Sequence, residues 1–89
     1  KVYLVETKSD KEIESPNVAI KARAAKSWCE NASKVLLPES LPQPGEWEYL
    51  ILSESLYKSN KGLSFRGLIP LCQNLRDKII AENEGLLFV

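Results

Sequence analysis

A glutamate and a lysine one residue apart, in Glu6-Thr7-Lys8, are the residues of this chain whose types and spacing best suit chemistry. They close an apolar run, Val2-Tyr3-Leu4-Val5, that reads as a β-strand over Lys1–Lys8. Residues two apart on a strand share a face, so Leu4, Glu6 and Lys8 line one side and Tyr3, Val5 and Thr7 the other. A strand therefore holds a carboxylate and an ammonium side by side. A hard divalent cation takes one or two carboxylates from protein and completes its shell with water and phosphate. The carbonyl of Thr7, between the two side chains, is placed to join that shell. A lysine beside the cation can orient or deprotonate a water, or stabilise charge that develops on phosphate as a bond breaks. The chemistry is metal-assisted phosphodiester hydrolysis. The plain alternative is a salt bridge at a strand end, because a bare E-x-K tripeptide recurs by chance in most proteins.

The elements that must position this pair follow from the pattern around it. Val2 to Val5 is apolar at every position, as in a strand covered on both faces. Ser9–Asn17 is polar and turn-rich, and Ser15 or Asn17 as cap with Pro16 in the first turn starts a helix. From about Val18 to Val35, a step of about 100° per residue gathers Val18, Ala22, Ala25, Cys29 and Ala32 into one stripe, with Arg23, Glu30 and Lys34 opposite. Lys21 falls about 20° from Trp28, on the flank of the stripe. Pro38, Pro42, Pro44 and Gly45 then form a loop, and Glu46–Ser53 (EWEYLILS) is a second strand. Strand, helix and strand imply a right-handed crossover and parallel pairing. Downstream, Glu54–Asn60 suits a helical turn and Lys61-Gly62 a bend. Pro70–Asn83 suits a second helix, with Pro70 at its first position, Leu71, Leu75 and Ile79 in register, and Gly85 as its stop. The fold class is α/β, with flanking helices in the order strand-helix-strand-helix.

Composition narrows the chemistry further. An 89-residue chain supports one core. It has no His, which excludes Ser-His and Cys-His catalysis and any zinc site that needs imidazole. Cys29 and Cys72 stand too far apart for a metal spacing and are expected as buried free thiols in a reducing, cytoplasmic setting. No apolar run is long enough to span a membrane. Twelve basic against twelve acidic residues argue against a sequence-independent nucleic-acid coat. Trp28, Trp47 and Tyr49 fit sheet packing better than base stacking. Lys58, Lys61 and Arg66 make a small basic patch, equally explained by solubility or by contact with a DNA backbone. The chain has no Met and stops on Leu86-Leu87-Phe88-Val89, so it is expected to be a fragment of a larger protein.

VYLVETK, followed by the helix IKARAAKSWCENAS and the strand WEYLILS, resembles the C-terminal nuclease region of the restriction (Res) subunits of type III restriction enzymes and related DEAD/DEAH helicases. That region belongs to the PD-(D/E)XK nuclease superfamily. The likeness spans about Lys1 to Ser53, and ETK together with K-A-R-A-A-K-x-W-C is its most specific part. It implies a partial nuclease domain over residues 1–89, a fragment of a restriction-endonuclease-like core with a mixed sheet and flanking helices, that belongs to a Mg²⁺-dependent, site-specific deoxyribonuclease. It also implies ATP-consuming helicase or translocase domains elsewhere in the parent, a methyltransferase subunit and double-stranded DNA as partners.

By position, the resemblance makes Glu6 the metal-binding carboxylate, with the Thr7 carbonyl beside it, and Lys8 the catalytic lysine. Lys21 on the following helix would face the site or a phosphate. The acidic residue of the family's PD half-motif precedes the E-x-K strand, so it is expected upstream of Lys1, and the 89-residue chain alone is expected to be inactive. Ser9 stands where a glycine is frequent in the family. Asp10, expected on a loop after the strand, is not placed to replace the upstream acid. The alternatives from other classes are a degenerate, non-catalytic α/β module for DNA or subunit contact, and a soluble interaction domain unrelated to nucleic acid. An open edge on the first strand would invite pairing with another copy.

Overall fold

The structure is a computed structural model. It describes residues 1–32, 34–35, 37–43 and 45–87, with residues 86 and 87 described by their backbone alone. Pro44 and the final residues 88 and 89 of the apolar end thus lie outside the described residues.

Two strands, β1 (Val2–Lys8) and β2 (Trp47–Ser53), pair in parallel, with Val2 opposite Trp47, Glu6 opposite Ile51 and Lys8 opposite Ser53. Parallel pairing needs a long crossover, and the crossover here carries α1 (Asp10–Ile13) and α2 (Pro16–Ala32). After β2 come α3 (Glu54–Ser59), α4 (Phe65–Glu82) and α5 (Glu84–Leu87). The fold is α/β in the expected order, with a two-stranded parallel sheet among the described residues, and α1 lies where a loop was expected.

Local chemistry explains the boundaries. Ser15 caps α2: its Oγ accepts from the Asn17 N–H at 3.3 Å, its carbonyl accepts from Val18, and Pro16 takes the first helical position, where no N–H is needed. The helix begins two residues earlier than its apolar stripe and ends at Ala32 rather than Val35. Ser64 caps α4 by accepting from the Gly67 N–H. That helix starts five residues before Pro70, which lies inside it, and it ends at Glu82 with Gly85 in the short α5.

The expected stripe of α2 is the core. Val18, Ala22, Cys29 and Ala32 are buried and Ala25 partly so, and with Ala19 the small side chains let α2 lie close on Tyr49 and Ile51 of β2. Ile79 of α4 closes the same cluster, with Leu75 and Ile80 packed against it. The buried face of α4 is Cys72, Arg76 and Ile79, so the expected row through Leu71 and Leu75 is displaced by one position toward a buried arginine. Trp28 meets Trp47 edge-on, ring centroids 5.4 Å apart, yet remains 48% exposed, so it flanks the core instead of filling it.

The two strands differ in burial. Tyr49, Leu50 and Ile51 of β2 are buried, whereas Leu4 and Val5 of β1 are 36% and 41% exposed. The expected double covering of β1 is not found, because among the described residues the helices pack on β2 and none lies closely along either face of β1. The Val2 N–H donates to the Glu46 carbonyl, so even-numbered residues of both strands turn their backbone groups toward each other and odd-numbered ones turn outward. The outward Tyr49 carbonyl accepts from Arg76 Nη1, which covers that edge of β2 with α4.

Candidate active site at the carboxyl ends of the strands

Glu6 and Lys8 end β1 on the sheet face that carries Trp47, Tyr49 and Ile51, the face covered by α2. Their head groups meet, Lys8 Nζ to Glu6 Oε2 at 3.4 Å. Tyr49 Oη donates to the same carboxylate oxygen at 3.0 Å. Burial first, and then the Glu6 carboxylate, push the Tyr49 phenol well above its ordinary range, so it remains a donor.

Glu12, which sequence reasoning passed over, completes the cluster. Ser9 and Glu12 form a capping box at α1: the Glu12 N–H donates to Ser9 Oγ at 3.2 Å, and Glu12 Oε1 accepts from Ser9 Oγ and N–H. That box folds the chain back so that Glu12 Oε2 lies 3.8 Å from Lys8 Nζ. Hydrogen bonds from Ser9, helped by the charges of Lys8 and Lys21, hold the Glu12 carboxyl below the usual range. The Lys8 side chain, 16% exposed, is thus bracketed by two carboxylates. The signal was present as S-x-x-E over Ser9–Glu12. The role of Tyr49 depends on strand register, which no local motif reveals.

Lys21 lies beside this cluster. It is exposed at the start of α2 and lines, with Lys8, Glu12, Ser15 and Asn17, a pocket of about 190 Å³. Across the strand ends, Lys8 and Glu12 also border a wider open cleft of about 480 Å³ against Leu52, Glu54 and Tyr57. Crevices of this kind, at the carboxyl ends of parallel strands, are the usual ligand positions in α/β sheets. Asp10 is absent from both. It belongs to α1 and accepts from the Ser55 N–H and Oγ, at 3.0 and 2.7 Å, tying α1 to α3; those bonds lower its pKa.

A divalent cation fits this donor set only as a partial shell. Among the described residues no three His, Cys, Asp or Glu side chains converge. Glu6 Oε1 has no protein partner there, since Tyr49 and Lys8 both engage Oε2. The Thr7 carbonyl, on an odd-numbered residue, turns outward from β1, away from the β2 ladder. One carboxylate and one carbonyl match the sparse protein ligation that Mg²⁺ accepts, with water and phosphate supplying the rest.

Elsewhere the expected patch is partly neutralised, because Lys58 pairs with Glu54 at 2.6 Å along α3. Cys29 and Cys72 are buried free thiols, and burial raises both pKa values. Among the described residues no helix is long and apolar enough to cross a membrane. No family model, curated protein or solved structure matches this chain.

Proposed function

We propose that this chain is the E-x-K portion of a Mg²⁺-dependent DNA endonuclease domain, of the kind carried by the restriction subunits of type III enzymes. The observation that supports the reading is the pairing of Glu6 and Lys8 on one face at the strand ends, with Lys21 lining the pocket beside Lys8. Glu6 and the Thr7 carbonyl would hold the cation. When bound, Mg²⁺ would neutralise charge on the scissile phosphate. Lys8 is held by Glu6 and Glu12 where it can orient a water toward that phosphate, and Lys21 can hold a neighbouring phosphate in register. A further acidic ligand, the ATP-dependent helicase domains, the methyltransferase subunit and the grip on double-stranded DNA belong to the parent and lie beyond these 89 residues. The neutral net charge of the chain is in keeping with a grip supplied elsewhere.

In the intact parent, Glu6→Ala or Lys8→Ala should abolish DNA cleavage and leave ATP hydrolysis unchanged. Undiminished cleavage by either variant would remove the residue it replaces from the mechanism. The 89-residue chain by itself should show no Mg²⁺-dependent nicking.

One observation favours a second reading, a non-catalytic α/β module for DNA or subunit contact: Glu6 Oε2 is already satisfied by Tyr49 and Lys8. Manganese titration of the intact domain, followed by electron paramagnetic resonance, separates the two. A catalytic site binds Mn²⁺ and loses it in Glu6→Gln, whereas a structural ion pair binds none.

A further inference from the structure

Lys8 and Glu12 are shared by two openings of different chemistry. On the α2 side is the polar pocket of about 190 Å³, where Lys21 adds a second ammonium group and suits a phosphate. On the α3 side is the cleft of about 480 Å³, where Leu52 and Tyr57 supply apolar surface and Ser9, Ser53 and Glu54 supply polar groups. An apolar-walled cleft of roughly 300–1,000 Å³ with a few placed polar groups is the usual form of a small-ligand site.

Tyr57 is the residue of this cleft that folding does not explain. Its side chain is half-exposed, and among the described residues its hydroxyl has no hydrogen-bond partner and its ring meets no other ring. The fold uses its backbone, through the Asn60 N–H that closes α3 on the Tyr57 carbonyl. The walls of the cleft are nevertheless fixed: Asp10 of α1 accepts from the Ser55 N–H and Oγ of α3, so the two helices stand at a set separation. Glu54 gives Oε1 to Lys58 and keeps Oε2 as an acceptor at the rim.

We propose that this cleft takes an amino-bearing nucleobase, cytosine or adenine, unstacked from a DNA strand and laid on Tyr57 while a phosphate of the same strand sits between Lys8 and Lys21. A nucleotide has a flat apolar half and an anionic half, and the two openings that share Lys8 match one half each. Any base stacks on an aromatic ring, so Tyr57 supplies affinity without choice. Choice comes from the acceptors. The Glu12 and Glu54 carboxylates repel phosphate and the O4 of thymine, but accept from the exocyclic amine of cytosine or adenine. The inference rests on the nuclease reading for the strand as substrate, and it narrows that substrate to DNA whose bases can leave the stack. Turning a base out of a paired duplex is costly and least so where the strands are already parted, so locally unpaired DNA is the preferred form.

Titration of the 89-residue chain with tetradeoxycytidylate, followed by nuclear magnetic resonance without divalent metal, tests the proposal. The Tyr57 ring protons and Leu52 methyls should shift upfield and saturate. Tyr57→Ala should weaken binding by roughly 5- to 150-fold and Tyr57→Phe should retain it. Tetrathymidylate, an abasic tetranucleotide and free deoxycytidine monophosphate should each bind several-fold more weakly than tetradeoxycytidylate, and these arms need no variant to fold. Equal affinity for tetrathymidylate, for the abasic strand or in Tyr57→Ala overturns the proposal. A monophosphate that binds more tightly than the strand also overturns it, because the cleft would then serve a free nucleotide. Glu6 lies outside the cleft, so Glu6→Gln should leave base binding intact. Tyr57-dependent base binding in a domain that takes up no Mn²⁺ would sink the nuclease reading and support the base site, whereas Mn²⁺ uptake with no base selectivity would overturn the base site alone.

Discussion

Tyr49 Oη donates to Glu6 Oε2 at 3.0 Å, a bond between residues 43 positions apart that exists because β1 and β2 run parallel in one register. The phenol is buried in the core under α2, while the carboxylate is about half exposed at the site. One end of the bond therefore belongs to folding and the other to the candidate chemistry.

Tyr49→Phe keeps the buried ring and deletes only the donor. A hydrogen bond to a charged group contributes about 1.5–3 kcal/mol when dry. Water can reach Glu6, so urea denaturation should show a loss of only about 1 kcal/mol. The site should respond more clearly. With Oε2 released, the Glu6 carboxylate is free to turn, and Mn²⁺ affinity of the intact domain should change while far-ultraviolet circular dichroism does not.

Arg76 is the most exacting polar residue in the core. It is 6% exposed, pairs with Glu48 and Asp77 at 3.1 and 3.0 Å, and donates to the Tyr49 carbonyl. Arg76→Met removes a buried charge but strands the carbonyl and leaves Glu48 with Lys1 and Gln73 only. Breaking one side of such a buried network should cost about 3 kcal/mol in urea denaturation. Arg76→Lys should recover little, because a single ammonium cannot reproduce the planar fork that reaches a carboxylate and a carbonyl together.

Acid should unfold the protein through the same network. Burial pushes the Glu48 carboxyl up, but hydrogen bonds from Lys1, Gln73 and Arg76 outweigh it, and the net pKa lies below its ordinary 4.5. A hydrogen bond from Arg76 likewise holds Asp77 below 3.8. Carboxyls depressed in the folded state stabilise it at pH above their unfolded values and lose that contribution as pH falls through the folded ones. Stability should thus be level near neutrality and decline below about pH 4. Glu48→Gln should lower stability at neutral pH yet lose less between neutral and acid conditions. An acid limb as steep as that of the parent chain would place the titrating groups elsewhere.

The sequence made parts of this legible and hid others for definite reasons. The stripe Val18, Ala22, Ala25, Cys29, Ala32 was readable because small apolar residues at helical spacing have one sensible use, to bring a helix close to a sheet. The parallel pair followed from strand, helix and strand, and the shared face of Glu6 and Lys8 from strand geometry alone. The burial of β1 was misjudged, since an all-apolar run states what a strand can tolerate and not whether a neighbour covers it. Glu12 was missed although its capping motif was on view, because the motif marks a helix start and only the fold shows that the start lies beside Lys8. Arg76 gave no signal: a lone arginine in a helix reads as solvated until a strand edge is placed against it.

Pro70 is where local rules and tertiary structure disagree most, and it supplies a prediction of opposite sign to the others. Proline suits a first helical turn, yet α4 runs from Phe65, fixed by the Ser64 cap and by the contact of Phe65 with Tyr3. The Leu68 N–H already donates to the Ser64 carbonyl. Two residues later the ladder requires a donor to the Arg66 carbonyl, and Pro70 has none, while its ring crowds that carbonyl. Pro70 is exposed, so its replacement removes little packing. Pro70→Ala should restore the bond and the preferred helical geometry, worth up to about 3 kcal/mol, against about 1 kcal/mol for the stiffness that proline imposes on the unfolded chain. The net gain of about 2 kcal/mol should raise the thermal midpoint by about 8–16 °C. A lower midpoint would mean that the break at Pro70 sets the angle at which Cys72, Arg76 and Ile79 meet β2, and that the fold depends on it.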